Sequence, residues 1–283
     1  MAQYSVNRQT HFNTSNSDLH EIVMLADKDG NVINSFAAAS NIPIAAGLVA
    51  GYSNIHKFGR NPSVGGAPET VWQNGGIYSY LSAASTVYVS AVDATNDNPT
   101  GTGARTVTVQ GLDTNYNIVE ETLSVNNTEG SVEFLRVFRA FVATVGSILT
   151  NDDIIKISTG AGGTGTLLAT IGIIGTGTTF GLGQTQLALY TIPAGKTGYL
   201  TNWQVGGGTY NDSITATLLA RELDGANVPF RSRDIMDVPG GFHTRDYSVP
   251  YRFPEKTDIE VRAIASTGSI VSSSFDIILV DNE

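Results

Sequence analysis

The chain has 283 residues, with 16 Lys plus Arg against 26 Asp plus Glu, which gives a formal net charge of −10. It contains no cysteine, which excludes disulfides and cysteine-ligated zinc or iron–sulfur sites. The acidic balance argues against a nucleic-acid partner, because there is no basic excess to release counterions from phosphates.

Residue usage favours a β protein. The chain is 41% hydrophobic and only 15% charged, and it has 31 glycines, a composition typical of short strands and turns. Residues 1–20 lack the basic start and apolar core of a cleaved signal peptide, and no later run reaches the roughly 18 apolar residues of a membrane helix. We therefore expect neither secretion by a cleaved signal nor insertion into a membrane.

Residues 1–62 are predicted to form an N-terminal arm that contains a hairpin and serves as an anchor for the β domains. The runs "EIVMLAD" and "NVINSF" are predicted strands, and Asp29-Gly30 supplies the turn between them. The best helix candidate of the whole chain follows, "AAASNIPIAAGLVAGY", although Pro43 and Gly47 interrupt it.

Residues 63–183 are predicted to form a first β domain. Around the turn "LDTNYN", Val107 and Val109 lie on one face of a strand and Thr106 and Thr108 on the other. Strands about ten residues apart with turns between them are typical of a sandwich or barrel. The predicted strands are "TVYVSAV", "ARTVTVQGL", "NIVEETLSV", "VEFLRVFRAFVATV", "DIIKIST" and "TLLATIGI".

Residues 184–283 are predicted to form a second β-sandwich domain, and the glycine-rich stretch 160–183 marks the boundary. In "DIEVRAIAS", Ile259 and Val261 are expected to point inward while Glu260 and Arg262 face solvent. Together these patterns predict an all-β chain of two β-sandwich or jelly-roll-like domains with an N-terminal extension. The predicted strands are "TQLALYTI", "TGYLTNWQV", "SITATLLARE", "FHTRDYSV", "DIEVRAIAS" and "SSFDIILV".

One stretch resembles a dinucleotide-binding fingerprint. Gly160, Gly162 and Gly165 form G-x-G-x-x-G after an apolar run, but that fingerprint needs a following helix and an acid about twenty residues later. Here the next run is β-branched and broken by glycines, and no Asp or Glu occurs between Asp153 and Asp212. A glycine-rich hairpin or a crossing between domains is the preferred interpretation.

A second stretch, "IPAGKT", ends like a phosphate-binding loop. The other glycine of G-x-x-x-x-G-K-T would fall at position 190, which is Tyr190. Strand-like runs flank the stretch on both sides, so Pro193 to Lys196 is predicted to be the turn of a hairpin.

Three turns have the alternating acids and amides of calcium loops. They begin at Asp27, Asp93 and Asp113, and the first and last lack the required glycine and twelfth-position carboxylate. Asp and Asn also dominate ordinary turns because their side chains bond to nearby backbone. We predict no metal site, although calcium in a turn stays open.

Catalytic chemistry has little support. The four histidines, His11, His20, His56 and His243, lie in no hydrolase or metalloprotease motif. The acidic pairs at 120–121 and 152–153 consist of adjacent residues, which point to opposite faces of a strand. We therefore predict no catalytic residue, no cofactor-binding residue and no cofactor.

Aromatic residues form two clusters that could stack on sugars. Trp72, Tyr78 and Tyr80 form one, and Trp203 and Tyr210 form the other. The favoured interpretation is that they fill cores and contacts between sheets.

Several stretches resemble a family of tailed-bacteriophage proteins known from marine and cyanobacterial phages. They are "NIHKFGRNPSV", "PETVWQNGGIYSYL", "GTGARTVTVQGLDTNYNIVEETLSVN", "FLRVFRAFV" and "GQTQLALYTIPAGKTGYLTNW". The resemblance runs from about Asn54 to Trp203, with a weaker echo at "FPEKTDIEVRAIAS". The family has no catalytic motif to transfer to this chain.

The resemblance implies a non-enzymatic virion structural protein made in the host bacterial cytoplasm. The leading expectation is a capsid decoration or cement protein that bridges capsid subunits, as a homo-oligomer with a trimer favoured. Its partners would be copies of itself and the major capsid protein or other virion proteins. The alternatives are a neck, tail or baseplate component and a receptor- or glycan-binding module, with an enzyme as the third class.

Overall fold

A computed structural model describes residues 6–11, 20–26, 32–33, 42–126, 128–175, 180–208, 213–222, 228–266 and 268–282. The all-β prediction is confirmed, because almost all regular structure in these ranges is strand. Every strand pair whose register the structure describes is antiparallel. By its contacts the chain divides into two units, Met1–Asn54 and Ile55–Glu283.

The smaller unit contains a three-stranded sheet in the order β1-β2-β3. Its strands are β1 (Val6–His11), β2 (His20–Ala26) and β3 (Val32–Ile33). β2 and β3 form the predicted antiparallel hairpin, and the turn residues Asp29 and Gly30 lie outside the described residues. The sequence did not predict β1.

Within the described residues the predicted helix is a single turn, α1 (Ile42–Ala45), and residues 37–41 of the prediction lie outside them. Gly47 has φ +70°, a left-handed conformation that glycine adopts without strain. Leu48 N–H donates to the Pro43 carbonyl and Gly47 N–H donates to the Ile44 carbonyl, which is the Schellman pattern of a helix C-terminus. Gly47 therefore marks the C-terminal end of this helical turn.

From Tyr52 onward the described chain is a series of strands. The first group is β4 (Tyr52–Val64), β5 (Glu69–Thr70), β6 (Tyr88–Ala91), β7 (Ala104–Leu112), β8 (Ile118–Ser124), β9 (Thr128–Glu129), β10 (Arg136–Val145), β11 (Ile155–Gly160), β12 (Thr164–Ile171), β13 (Ile173–Ile174) and β14 (Phe180–Gly181). The second group is β15 (Leu189–Thr191), β16 (Lys196–Gly207), β17 (Ile214–Glu222), β18 (Arg231–Val238), β19 (Phe242–Phe253), β20 (Thr257–Ala265) and β21 (Ser269–Asp281).

The first core lies among residues of the first predicted β domain. One sheet has the order β10-β7-β8 and the other β12-β11-β6-β9, and both contribute side chains to one buried cluster. Val107 and Val109 point into it as predicted. β7 and β8 form the predicted hairpin around Asp113.

The second core lies between two larger sheets. One has the order β15-β20-β17-β18, with β5 also paired to β20, and the other has the order β19-β16-β21-β4. Ile214, Ala216, Leu218 and Ala220 of β17 are all buried in this core, as their alternation predicts. β4 runs through position 62 and belongs to this second core's sheet. The division at residues 62 and 183, and the jelly-roll strand order, stay predictions.

The two cores share one sheet. In the segment that leads into β15, Leu187 and Leu189 point into the first core, whereas Ala188 and Tyr190 point into the second. The β15-β20-β17-β18 sheet is therefore covered on both faces near this segment. This arrangement explains why the two cores belong to a single compact unit.

One predicted orientation is wrong because of this shared sheet. Glu260 was expected to face solvent, but its side chain is fully buried, and Arg262 is partly buried. The face on which they lie is covered by Tyr80, whose hydroxyl donates to Glu260 at 3.2 Å, and by Phe230, whose ring lies 5.2 Å from the Arg262 guanidinium. Alternation identified the two faces of β20 but could not show that both are covered.

Candidate functional site

The Gly160–Gly165 motif is the turn of a hairpin, as predicted. β11 and β12 pair antiparallel on either side of it, and Gly160 lies opposite Thr164. Gly162 and Gly163 have φ of +67° and +77°, so glycine serves the turn rather than a phosphate. A strand follows the motif where a dinucleotide site would need a helix.

The "IPAGKT" prediction of a hairpin is wrong. β15 pairs with β20, whereas β16 pairs with β19 and β21, so Pro193 to Lys196 carries the chain from one sheet to the other. Gly195 has φ +71° and its N–H donates to the Glu255 carboxylate at 2.6 Å. The Lys196 ammonium is bonded to the Asp281 carboxylate. The turn is thus a corner between sheets, and the lysine has a structural partner.

The acidic turns use their carboxylates to hold backbone. Asp113 accepts the N–H groups of Asn115 and Asn117 at 2.7 and 2.9 Å. Asp97, in the turn that starts at Asp93, is fully buried and accepts backbone N–H groups from Ala104 and from residues 152–153. Within the described ranges no three His, Cys, Asp or Glu side chains are grouped as metal ligands. Asp27 lies outside these ranges.

The acidic pairs and histidines form no catalytic group in the described chain. Burial would raise the pKa of Glu121, but hydrogen bonds from Ser131 and Val132 hold it below its usual value. Glu120 bonds instead to Gln110. His56 Nδ1 lies 2.6 Å from Asp276 Oδ1, and His243 is exposed. His11 and His20 lie opposite each other in the β1–β2 pair.

Both tryptophans lie in cores rather than on a sugar-binding platform. Trp72 is 3% exposed and donates to the Gly75 carbonyl at 2.7 Å, and Trp203 is 0% exposed and donates to Ser273 at 3.0 Å. Tyr78 packs edge-on against Trp72, with the ring centroids 5.1 Å apart. Tyr210 lies outside the described residues.

A buried cluster of charges lies where the two cores meet. Asp258 is fully buried and receives a two-point contact from Arg136, at 2.9 and 3.1 Å, and a bond from Arg221 at 2.5 Å. Thr191 donates to the same carboxylate at 2.6 Å. Arg136 comes from the first predicted β domain, and the other three residues come from the second. This contact therefore joins the two cores.

A second carboxylate completes the cluster. Glu260 receives two bonds from Arg262, at 2.8 and 3.1 Å, and one from the Thr70 hydroxyl at 2.5 Å. The Arg221 guanidinium lies 4.8 Å from the Tyr80 ring centroid, within range of a cation–π contact. The cluster thus contains three guanidinium groups, two carboxylates and covering aromatic rings, and each carboxylate oxygen has a donor.

The electrostatics of the cluster favour its charged state. Burial would lower the pKa of Arg136, but the bonded Asp258 carboxylate raises it above its usual value. Bonding to Glu260 likewise raises the pKa of Arg262. Burial raises the pKa of Tyr80 well above its usual value, so its hydroxyl stays a donor. Sequence reasoning missed this cluster, and the available signal was an alternating strand whose outward positions are Asp258, Glu260 and Arg262.

Lys57 is a second buried charge that the sequence did not indicate. Lys57 is 8% exposed, and its ammonium donates to the Phe138 carbonyl. Burial and, as a smaller effect, the nearby positive charge of Arg139 lower the pKa of Lys57 to about 7. No carboxylate bonds to it within the described chain. Lys57 is therefore poised to lose its proton near neutral pH.

A groove lies on the face of the β19-β16-β21-β4 sheet that points away from the core. Its volume is about 290 Å³, and its walls combine aromatic, amide, hydroxyl and guanidinium groups. The lining includes Phe58, Arg60, Gln186, Gln204, Phe242 and Ser274. The sequence patterns did not single out these positions, because they come from five different parts of the chain.

Comparisons with known proteins identify no family for this chain. No protein-family model matches the chain, and no curated protein matches it. Among solved structures it is similar to the crystal structure of the infectious bursal disease virus VP2 subviral particle, at 10% identity over 82% of this chain and 73% of that chain, with a TM-score of 0.19. Such a TM-score carries no argument about fold or function.

The ranges that the structure describes contain no helix long and apolar enough to span a membrane.

Proposed function

We propose that the protein is a non-enzymatic structural component of a tailed-bacteriophage particle. Its favoured role is that of a capsid decoration or cement protein, which stabilises the head by bridging capsid subunits. The resemblance of residues 54–203 to phage virion proteins supports this proposal. So does an architecture in which the candidate catalytic motifs serve as turns and corners.

The observation that carries the proposal is the junction of the two cores. They share a sheet, and the Asp258–Arg136 contact and its neighbours lie buried between them. Separating the cores would leave buried charges without partners, which costs about 3–5 kcal/mol for a broken pair. A protein whose two cores resist separation can transmit load between the capsid subunits that it contacts, as a bridging protein must.

Self-association is part of the proposal. β19 is the outer strand of its sheet and is exposed along most of its length. Val249 of this strand is 82% exposed, and Ile235 of β18 is 51% exposed. Exposed apolar groups on an outer strand favour burial against another copy. The expected assembly is a homo-oligomer, with a trimer favoured and the capsid protein as the further partner.

The expected location is the virion, after synthesis in the host bacterial cytoplasm. A neck, tail or baseplate component is the alternative within the same class, because a rigid β body serves a connector as well as a head. A role as a receptor-binding module would need a ligand surface other than the two buried tryptophans.

The proposal is tested by adding the purified protein to phage heads that lack it. Binding that raises the temperature at which packed DNA is released supports the bridging role. Binding to isolated tails but not to heads would instead support a role as a neck, tail or baseplate component. Binding to neither would contradict the proposal.

A further inference from the structure

We infer that the groove on the β19-β16-β21-β4 sheet binds an acidic saccharide, meaning a sugar ring that carries a carboxylate. The inference does not depend on the proposed structural role, since it concerns a surface that the two-core junction does not use. It rests on the shape, the chemistry and the charge of the groove.

The floor of the groove is the solvent-facing side of three paired strands. Gln204 of β16 lies opposite Ser274 of β21 on one side and Thr244 of β19 on the other. The alternate residues of β16, Trp203 and Val205, point into the core and are fully buried. The backbone under the groove is therefore rigid, and its polar side chains are fixed in register by the ladder.

Aromatic rings flank this polar floor. Phe58 of β4 and Phe242 of β19 both line the groove, and Phe242 is 61% exposed. Gly206 lies opposite Phe242 in the ladder and adds no side chain, so the floor beside the ring is flat. Sugar rings present an apolar C–H face and a rim of hydroxyls, which match a flat aromatic surface beside polar groups.

The groove also has an unused hydrogen-bond acceptor. The side-chain oxygen of Gln186 is buried and has no partner within the described residues. The Gln204 side-chain oxygen receives only a long contact of 3.4 Å from the Ser274 hydroxyl. A buried polar atom without a partner is costly, and a ligand hydroxyl would satisfy it.

The charge of the groove favours an anionic ligand. Its lining contains Arg60 but no Asp or Glu, although the whole chain has a net charge of −10. His56 also lines the groove but is bonded to Asp276. Arg60 is partly buried and forms no ion pair with any described residue. A guanidinium group binds a carboxylate at two points, which gives both affinity and orientation. A carboxylate on the sugar would be the missing partner of Arg60.

The test uses the full chain and two probes of equal length, an oligogalacturonate and a neutral malto-oligosaccharide, titrated by calorimetry. We expect the uronate oligomer to bind and the neutral one to bind at least about tenfold more weakly, as the loss of one charged hydrogen bond predicts. Arg60→Gln should remove this difference between the probes. Phe242→Ala should weaken binding of the uronate oligomer by about tenfold or more.

Val92→Ala is the matched control, because Val92 is exposed and lies outside the groove. Its affinity should equal that of the unmodified chain, and thermal unfolding should show that all three variants are folded. If Arg60→Gln does not fold, Arg60→Lys serves, with the expected loss of the two-point contact. Three results would each overturn the inference: no binding of the uronate oligomer at millimolar concentration, equal binding of both probes, or full affinity after the Arg60 change.

Discussion

At the scale of single residues, stability depends on charges that the chain places inside. Asp258 is held by three donors, and two of them are guanidinium groups. A buried ion pair often contributes little relative to an apolar replacement of both partners, but removing one partner leaves a buried charge uncompensated. Asp258 and Lys57 are therefore the residues whose substitution should report most directly on the interior.

Asp258→Ala should strongly destabilise the protein. The change leaves Arg136 and Arg221 without their carboxylate, at a cost of about 3–5 kcal/mol. The measurement is the free energy of unfolding from urea denaturation. Asp237→Ala is the control, since Asp237 is exposed and bonds only to the Thr215 hydroxyl, and it should change stability by about 0.5 kcal/mol or less. Equal effects of the two changes would contradict the role of the cluster.

Lys57→Met should remove a pH dependence of stability. The pKa of Lys57 is about 7 in the folded chain against 10.5 for an ordinary lysine, so the unfolded chain binds more protons between these values. Stability should therefore rise with pH above 7, by about 1.4 kcal/mol for each unit at most. Buried tyrosines oppose the rise above their ordinary pKa of about 10, so the useful window is pH 7 to 9.5.

The measurement for Lys57 compares urea denaturation of both proteins across this window. The difference in stability between Lys57→Met and the unmodified chain should shrink as the pH rises. A constant difference would show that Lys57 keeps its proton in the folded chain.

At the scale of elements, several described strands follow the alternation of the sequence, whereas β4 and β18 were not predicted. β7, β17 and β20 lie where alternation predicts them. The two wrong predictions, of the orientation of Glu260 and of a hairpin at Pro193 to Lys196, both concern a strand or turn that contributes to the contact between sheets. Pro193 to Lys196 has the residues of a hairpin turn, and only the pairing of β15 and β16 with different partners reveals a corner. Local turn chemistry does not encode which strands pair across the fold.

The exposed edge of β19 leads to a prediction about assembly. Val249→Asp should weaken self-association, because a charge would be buried in the contact between copies. The measurement is molar mass by light scattering during size exclusion. Val92→Asp is the matched control, as Val92 is 58% exposed but lies after β6. If both variants had the same molar mass, or if the unmodified protein were monomeric, the result would contradict a contact through β19.

At the scale of the whole molecule, the sequence predicts the fold class but not how its cores meet. Both cores contain predicted strands, but the second core also includes Val64 of β4 and Met236 and Val238 of β18, which were not predicted. The shared sheet depends on Leu187 and Leu189 pointing away from Ala188 and Tyr190. This pattern of four consecutive apolar residues is equally compatible with a strand buried in one sandwich. The groove was beyond prediction for a similar reason, since its lining comes from distant positions such as Arg60 and Phe242.

The N-terminal region gives a prediction at this scale. Removing residues 1–50 leaves β4 intact, because that strand begins at Tyr52, and leaves the larger unit with its cores. The truncated protein should unfold cooperatively like the full chain but no longer bind phage particles, since residues 1–50 are the proposed anchor. Sedimentation with particles measures the binding. Binding equal to that of the full chain would show that the anchor lies elsewhere.

The most direct test of the structural role is to locate the protein on intact phage particles with a gold-labelled antibody viewed by electron microscopy. We predict label on the particle in many copies, spread over the head. Label confined to the neck or tail would keep the structural role and replace the decoration role by that of a connector. Particles without label, from lysates that contain the protein, would contradict the proposal that it is part of the virion.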